Sequence, residues 1–287
     1  MQKKLFTMAI IVVLACIALT VGGQAATSNA KNEYQQIQLP LGYAIEDATV
    51  GDVTGDGIND VVFLMGQRED PDSYYSREHR IIVIDGASLS QSTLSLGPDS
   101  GGYEGDLVLG KVSRNKAQDI LVGLPTGGSG GIVNYYLISG TEEKSIILAG
   151  PDALTEGLKL QVSLMDNFLV KVKNNELDKT YILDLKEAQS SANTLSEVYK
   201  DIYSTSGKLL KPEEGFVDPL SMVELRDIDG DGICELIGYN KIWVVFHANS
   251  IGIAKPVWKW ADKEIKLMSL DVSLRYSTDD YDRELTR

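Results

Sequence analysis

Apolar and polar residues alternate in short runs along most of the chain, and the runs end at Gly, Asp or Asn. A period of two puts successive side chains on opposite faces of an extended segment, so the pattern predicts strands. Arg80-Ile81-Ile82-Val83-Ile84-Asp85-Gly86 is one such run, and Ile132 to Gly140 and Thr180 to Leu185 are others. β-Branched and aromatic residues dominate them, as they do on a pleated surface. A helical period occurs in the irregular stretch 187–215, where Leu195, Val198, Tyr199 and Ile202 fall on one face. The pattern therefore predicts an all-β chain with one short amphipathic helix.

The strands belong to a repeat. Gly51-Asp52-Val53-Thr54-Gly55-Asp56-Gly57-Ile58-Asn59-Asp60 has a relative in Arg226-Asp227-Ile228-Asp229-Gly230-Asp231-Gly232-Ile233-Cys234-Glu235. A weaker copy runs from Gly110 to Asp119. The loops start at 52, 111 and 227, so the first interval is 59 and the second is 116, twice 58. That spacing places a missing copy near 169. Two alternating runs lie there, around a turn at Met165-Asp166-Asn167, and read as the same hairpin without its acidic loop. Four units of three or four strands predict a β-propeller with four visible blades, in a closed ring of four or five. The segment 34–41 is the candidate strand to close the ring. Loops Glu69 to Arg80, Thr126 to Gly131 and 187–215 are long and irregular.

In the first loop, oxygen-bearing side chains stand at positions 1, 3, 5 and 9: Asp52, Thr54, Asp56 and Asp60. In the last they are Asp227, Asp229, Asp231 and Glu235. Spacing of two in a tight loop turns them toward one point. Gly57 and Gly232 at position 6 permit the sharp turn, and the carbonyls of Ile58 and Ile233 at position 7 face the same point. Oxygen ligands without nitrogen or sulfur suit a hard cation, Ca²⁺ before Mg²⁺. An EF-hand would need a bidentate Glu at position 12 and a following helix. Phe63 and Gly238 stand there instead, ahead of strand-forming residues. The first loop has one carboxylate fewer than the last, so its site is expected to be the weaker. In the middle copy Lys111, Ser113, Asn115 and Ala117 occupy ligand positions, and no metal is expected there.

These loops resemble the calcium loops of FG-GAP or VCBS-type repeats in integrin-α-like propellers. Asp119-Ile120-Leu121-Val122-Gly123-Leu124-Pro125 is similar to the ending of that family's motif. The resemblance implies calcium at positions 1, 3, 5, 7 and 9, between the first two strands of each blade.

The N-terminus reads differently. Lys3 and Lys4 precede an apolar run from Leu5 to Val21 and a small-residue exit at Gly22-Gly23-Gln24-Ala25-Ala26. That order is a secretory signal peptide, residues 1–25, ahead of a propeller domain over 26–287. The alternative is an uncleaved anchor or, because Val13-Leu14-Ala15-Cys16 resembles a lipoprotein box, a membrane tether through lipidated Cys16. Removing two lysines takes the formal charge from −14 to −16. So acidic a surface repels nucleic acid and anionic membranes and suits divalent cations. Cys234 then has no intrachain disulfide partner.

Nothing in the pattern assembles a catalytic motif. His79 falls in a charged loop, His247 lies in the apolar run from Ile242 and reads as a strand residue, and Cys234 points to the core. The run Thr126 to Gly131 lacks the lysine and helix of a phosphate loop. The expectation is a secreted, calcium-stabilised binding or scaffold module that is not an enzyme. Its ligand would be a protein or a glycan. The alternatives are a cell-envelope lipoprotein of the same fold, or a carbohydrate-processing enzyme using Tyr74, Tyr75, Trp258 or Trp260 as sugar platforms.

Overall fold

A computed structural model describes residues 40–274, apart from 71, 114, 129, 141–144 and 189–196. The expected signal segment 1–25, Cys16 and the acidic tail lie outside the described residues. Of the strand expected over 34–41, only Pro40 and Leu41 are described, and they belong to no strand.

The described chain is all-β, and every strand pairing is antiparallel. A first meander holds β1 (Tyr43–Gly51), β2 (Asp60–Gln67), β4 (His79–Ile84) and β5 (Gln91–Ser95). The short β3 (Tyr75–Ser76) pairs with β6 (Gly102–Tyr103). A second meander holds β7 (Asp106–Gly110), β8 (Asp119–Pro125), β9 (Val133–Ser139) and β10 (Ile146–Ala149). The remaining strands form one large sheet. They are β11 (Gln161–Met165), β12 (Leu169–Asn174), β13 (Lys179–Asp184), β14 (Glu214–Val217), β15 (Met222–Arg226), β16 (Glu235–Val244), β17 (Ser250–Ala261) and β18 (Glu264–Leu274). Its order is β13-β12-β11-β14-β16-β17-β18, with β15 also on β16. The Tyr181 hydroxyl on β13 donates to the Leu270 carbonyl on β18, so the sheet's two edges meet and it is barrel-like and nearly closed.

Period-two alternation explains how these sheets stack. β2 is buried along almost its whole length because both of its faces are covered. Val62 and Leu64 pack with Ile120, Val122, Leu124, Tyr136 and Ile138 of the second meander. Val61, Phe63 and Met65 face the other way, toward Tyr43, Ile45 and Ala48. The second meander repeats the division: its opposite face, with Leu121, Tyr135 and Leu137, joins the core of the large sheet. Continuous apolar runs such as Val61 to Met65 are the mark of strands with two buried faces.

Four separate blades are not what the sheets form. The third and fourth units share one sheet because β14, from the long connection after β13, pairs β11 on one side and β16 on the other. This satisfies strand edges that separate blades would leave open. Alternation predicts strands but not which edges meet. Of the predicted helix, residues 197–199 form a single turn, and Tyr199 and Ile202 are buried in the large core. Leu195 lies outside the described residues.

His79 is not in a loop. It is the first residue of β4, and its side chain is fully buried against Glu46 of β1, with Nε2 2.9 Å from Oε2. Glu46 reaches it through a register shift in β1, where Ile45 and Asp47 pair with successive residues of β2 and Glu46 is left over. Such a bulge re-aims one side chain. Ser76 Oγ donates to Glu46 at 2.6 Å and the Gly105 amide at 3.1 Å, with Arg68 3.5 Å away. Gly66 leaves room for the cluster, since a Cβ there would collide with Glu46 and Ser76.

Candidate metal centre

The three acidic or degenerate loops are one construction. Gly51 pairs with Asp60, Gly110 with Asp119 and Arg226 with Glu235, so each loop of eight residues closes on the same register. The fourth hairpin closes Met165 on Leu169 around a short turn, the deletion that the spacing predicts.

Position 9 holds each loop's shape. Asp60 Oδ2 accepts from the amides of Val53 and Thr54 at 2.8 and 2.9 Å. Asp119 Oδ2 accepts from Val112 and Ser113 at 2.8 and 2.7 Å, and Glu235 Oε2 from Ile228 at 3.0 Å. All three are buried. Burial raises the pKa of Asp60, while the amides of Gly86, Val53 and Thr54 pull it back. Position 1 gathers the other half of the loop. Asp52 accepts from Gly55 at 2.6 Å and Gly57 at 3.0 Å, and Asp227 from Gly230 at 2.7 Å, Asp231 at 3.1 Å and Gly232 at 2.9 Å. Positions 4 and 6 are therefore both left-handed: φ is +87° and +88° at Gly55 and Gly57, and +76° and +83° at Gly230 and Gly232. Glycine adopts that region without penalty.

The loops differ in what they gather. In the last loop, oxygens of Asp227, Asp229 and Glu235 lie within 4.8 Å of one another, and among the described residues this is the one such carboxylate group. Asp52, Asp56 and Asp60 of the first loop are not brought together in this way. Asp56 Oδ1 accepts from Ile58, and Asp231 Oδ1 from Ile233, so both position-7 residues are tied to position 5 through their amides. Thr54 Oγ1 and Glu235 Oε1, at predicted ligand positions, are both buried. The donor set, oxygen throughout, fits a hard divalent ion. In the middle loop Asn115 instead donates to Ser113 Oγ and Ser139 Oγ, at 2.9 and 2.7 Å.

Sequence reasoning found the third strand of the first two units, Arg80 to Gly86 and Ile132 to Gly140, but not what that strand adds to the loop. A residue on that strand or just beyond its end completes each loop at position 9. In the first meander the Gly86 amide donates to Asp60 Oδ1 at 2.9 Å. In the second Ser139 pairs with Asp119. In the large sheet Lys259 of β17 enters the acidic loop, with Nζ 3.0 Å from Asp229, 3.1 Å from Asp231 and 2.9 Å from Glu235. Those three carboxylates hold its pKa far above the usual lysine value, hydrogen bonding to Glu235 contributing most. No local motif marks Lys259; the signal is its register on β17, one step beyond the Leu236–Trp258 pair.

Other polar groups are engaged structurally. His247 sits in a turn after β16, not on the strand, and its Nε2 lies 2.8 Å from Asp218. Asp218 also accepts from Trp243 Nε1 at 2.7 Å and pairs with Lys241 at 3.1 Å. Cys234 packs against the large core, and burial, with the charge of Asp227, pushes its thiol pKa up. A thiol so placed is not an activated nucleophile.

The loops also touch one another. The position-8 amide of Gln118 donates to the position-1 carbonyl of Asp52 at 2.8 Å, and that of Cys234 to the carbonyl of Lys111 at 2.6 Å. The three long loops thus form a row in which each is bonded to its neighbour through equivalent atoms.

Comparison with known proteins corrects the family resemblance. Residues 158–273 match the family model described as the YybI C-terminal domain. That span contains the last acidic loop. The chain is also 34% identical over 217 residues to the "Uncharacterized protein YybI" of Bacillus subtilis (strain 168), covering 76% of this chain and 80% of that one. FG-GAP and VCBS-type repeats are therefore not its family. The similarity was confined to short hairpin loops, where alternating acids and left-handed glycines meet the demands of local geometry. With a third of its residues shared over four-fifths of that relative, the chain belongs to the YybI family.

Proposed function

We propose that this chain is an extracytoplasmic binding module whose acidic hairpins take calcium, the last loop foremost. The observation that carries the reading is the convergence of Asp227, Asp229 and Glu235 oxygens within 4.8 Å on a hairpin bent by two left-handed glycines. Asp231 and the Ile233 carbonyl complete the set expected from the spacing. The first loop, with Asp52, Thr54, Asp56, Ile58 and Asp60, is the weaker site: it carries less charge and its oxygens are spread. Calcium of extracellular-module affinity, ~10⁻⁴ to 10⁻³ M, is loaded outside the cytoplasm. Export is read from the apolar N-terminal segment. The first two meanders have the four-stranded order of propeller blades, and we read them so. The ligand, a protein or a glycan, would meet the irregular loops.

Thermal unfolding in calcium, in magnesium and in chelator tests the cation. Ion bound only to the folded chain stabilises it by ~1–3 kcal/mol at concentrations well above the dissociation constant. Asp231→Ala removes most of the calcium-dependent shift, and Asn115→Ala leaves it unchanged. No heat from millimolar calcium in titration calorimetry would sink the assignment.

A further inference from the structure

We infer that Lys259 is a built-in competitor for the cation of the last loop, so that calcium enters by displacing an ammonium group. The inference rests on the calcium reading of that loop and adds its regulation. Lys259 is anchored outside the loop, on β17, and its side chain is 15% exposed. Its Nζ lies 2.9–3.1 Å from one oxygen each of Asp229, Asp231 and Glu235. Two of these residues belong to the carboxylate group that converges on one point. A positive charge already stands where the oxygens meet, carried by the protein itself.

The consequence is a two-state loop. With Lys259 inserted, three carboxylates are neutralised in part and the buried Glu235 Oε1 has the ammonium 2.9 Å away. With calcium bound, the ammonium leaves on its flexible four-carbon stem and is hydrated. Apparent calcium affinity then equals the intrinsic affinity multiplied by the fraction of time the lysine is out. Such competition weakens the site without altering its ligands. The first loop has no comparable lysine: no ion pair to Asp52, Asp56 or Asp60 occurs among the described residues.

Titration calorimetry of calcium chloride into the folded chain tests this with two variants of equal charge. Lys259→Gln is expected to bind calcium at least about tenfold more tightly than the wild type, as the lysine-in state disappears. Lys266→Gln removes the same charge from β18, where Lys266 pairs with Asp262 and Glu264, and is expected to bind as the wild type does. Equal affinity in all three chains overturns the competition and leaves the calcium site standing. Equal tightening in both variants overturns it as a general charge effect. No calcium heat from any chain defeats the site and the competition together. Should Lys259→Gln fail to fold, the wild type answers alone: the Lys259 side-chain NMR signal must move to the free-lysine position as calcium is added, and a signal unmoved at saturation overturns the inference.

Discussion

At the scale of single residues, the most consequential pair is Glu46 and His79. Both side chains are sealed from solvent. Burial alone would raise the Glu46 pKa, but hydrogen bonds from His79 and Ser76, the charge of His79 and the Gly105 amide outweigh it and leave the pKa lowered. Removing the carboxylate strands the buried donors that face it, at a cost of about 1–3 kcal/mol. Glu46→Gln should therefore lower the unfolding free energy by that order in denaturant titration. The pH dependence has a definite sign. A depressed folded pKa contributes stability that is complete above the unfolded value, near ~4.3 for Glu, and lost as pH falls through the folded value. Acid titration of stability should thus be shallower in Glu46→Gln than in the wild type. Gly66→Ala should also destabilise, by about 1–3 kcal/mol, because its methyl group enters the space held by Glu46 and Ser76.

At the scale of the hairpin, position 9 acts before any ion does. Asp119 supports a loop whose other ligand positions carry Lys111, Asn115 and Ala117, and it still makes the two amide bonds that Asp60 makes. Asp119→Ala should cost about 2–3 kcal/mol by stranding buried amides, and calcium should not alter that loss in thermal unfolding. This common role was half legible in the sequence. The interval between loop starts located all four hairpins, including the one reduced to a turn at Asp166, because loop register is a local property. The glycines at position 6 were legible for the same reason. Lys259 and Glu46 were not. One depends on which residue of a third strand stands beside Glu235, the other on a single leftover residue in β1, and neither leaves a trace in spacing or composition. His247 was misplaced because an apolar run does not announce the turn that ends it.

At the scale of the whole molecule, alternation correctly implied an all-β chain, but the partition into blades failed where β14 joined two units. Whether an edge is left open or taken by a distant strand is decided by the long connection 187–215, the part of the sequence with the least pattern. The row of loops survives that merger. Its links are main-chain bonds between equivalent atoms, Gln118 to Asp52 and Cys234 to Lys111. Amides in hairpin tips ordinarily exchange with solvent quickly, whereas these two should be protected alongside the strands in hydrogen exchange. A side chain substituted at either position leaves the bond in place, so the row tolerates drift in sequence. Proline does not, because it has no amide hydrogen to give. Position 8 can therefore be Gln118 in one link and Cys234 in the other while the tips stay fastened like links of a zip, and a disturbance at one tip has a route of main-chain hydrogen bonds to the next.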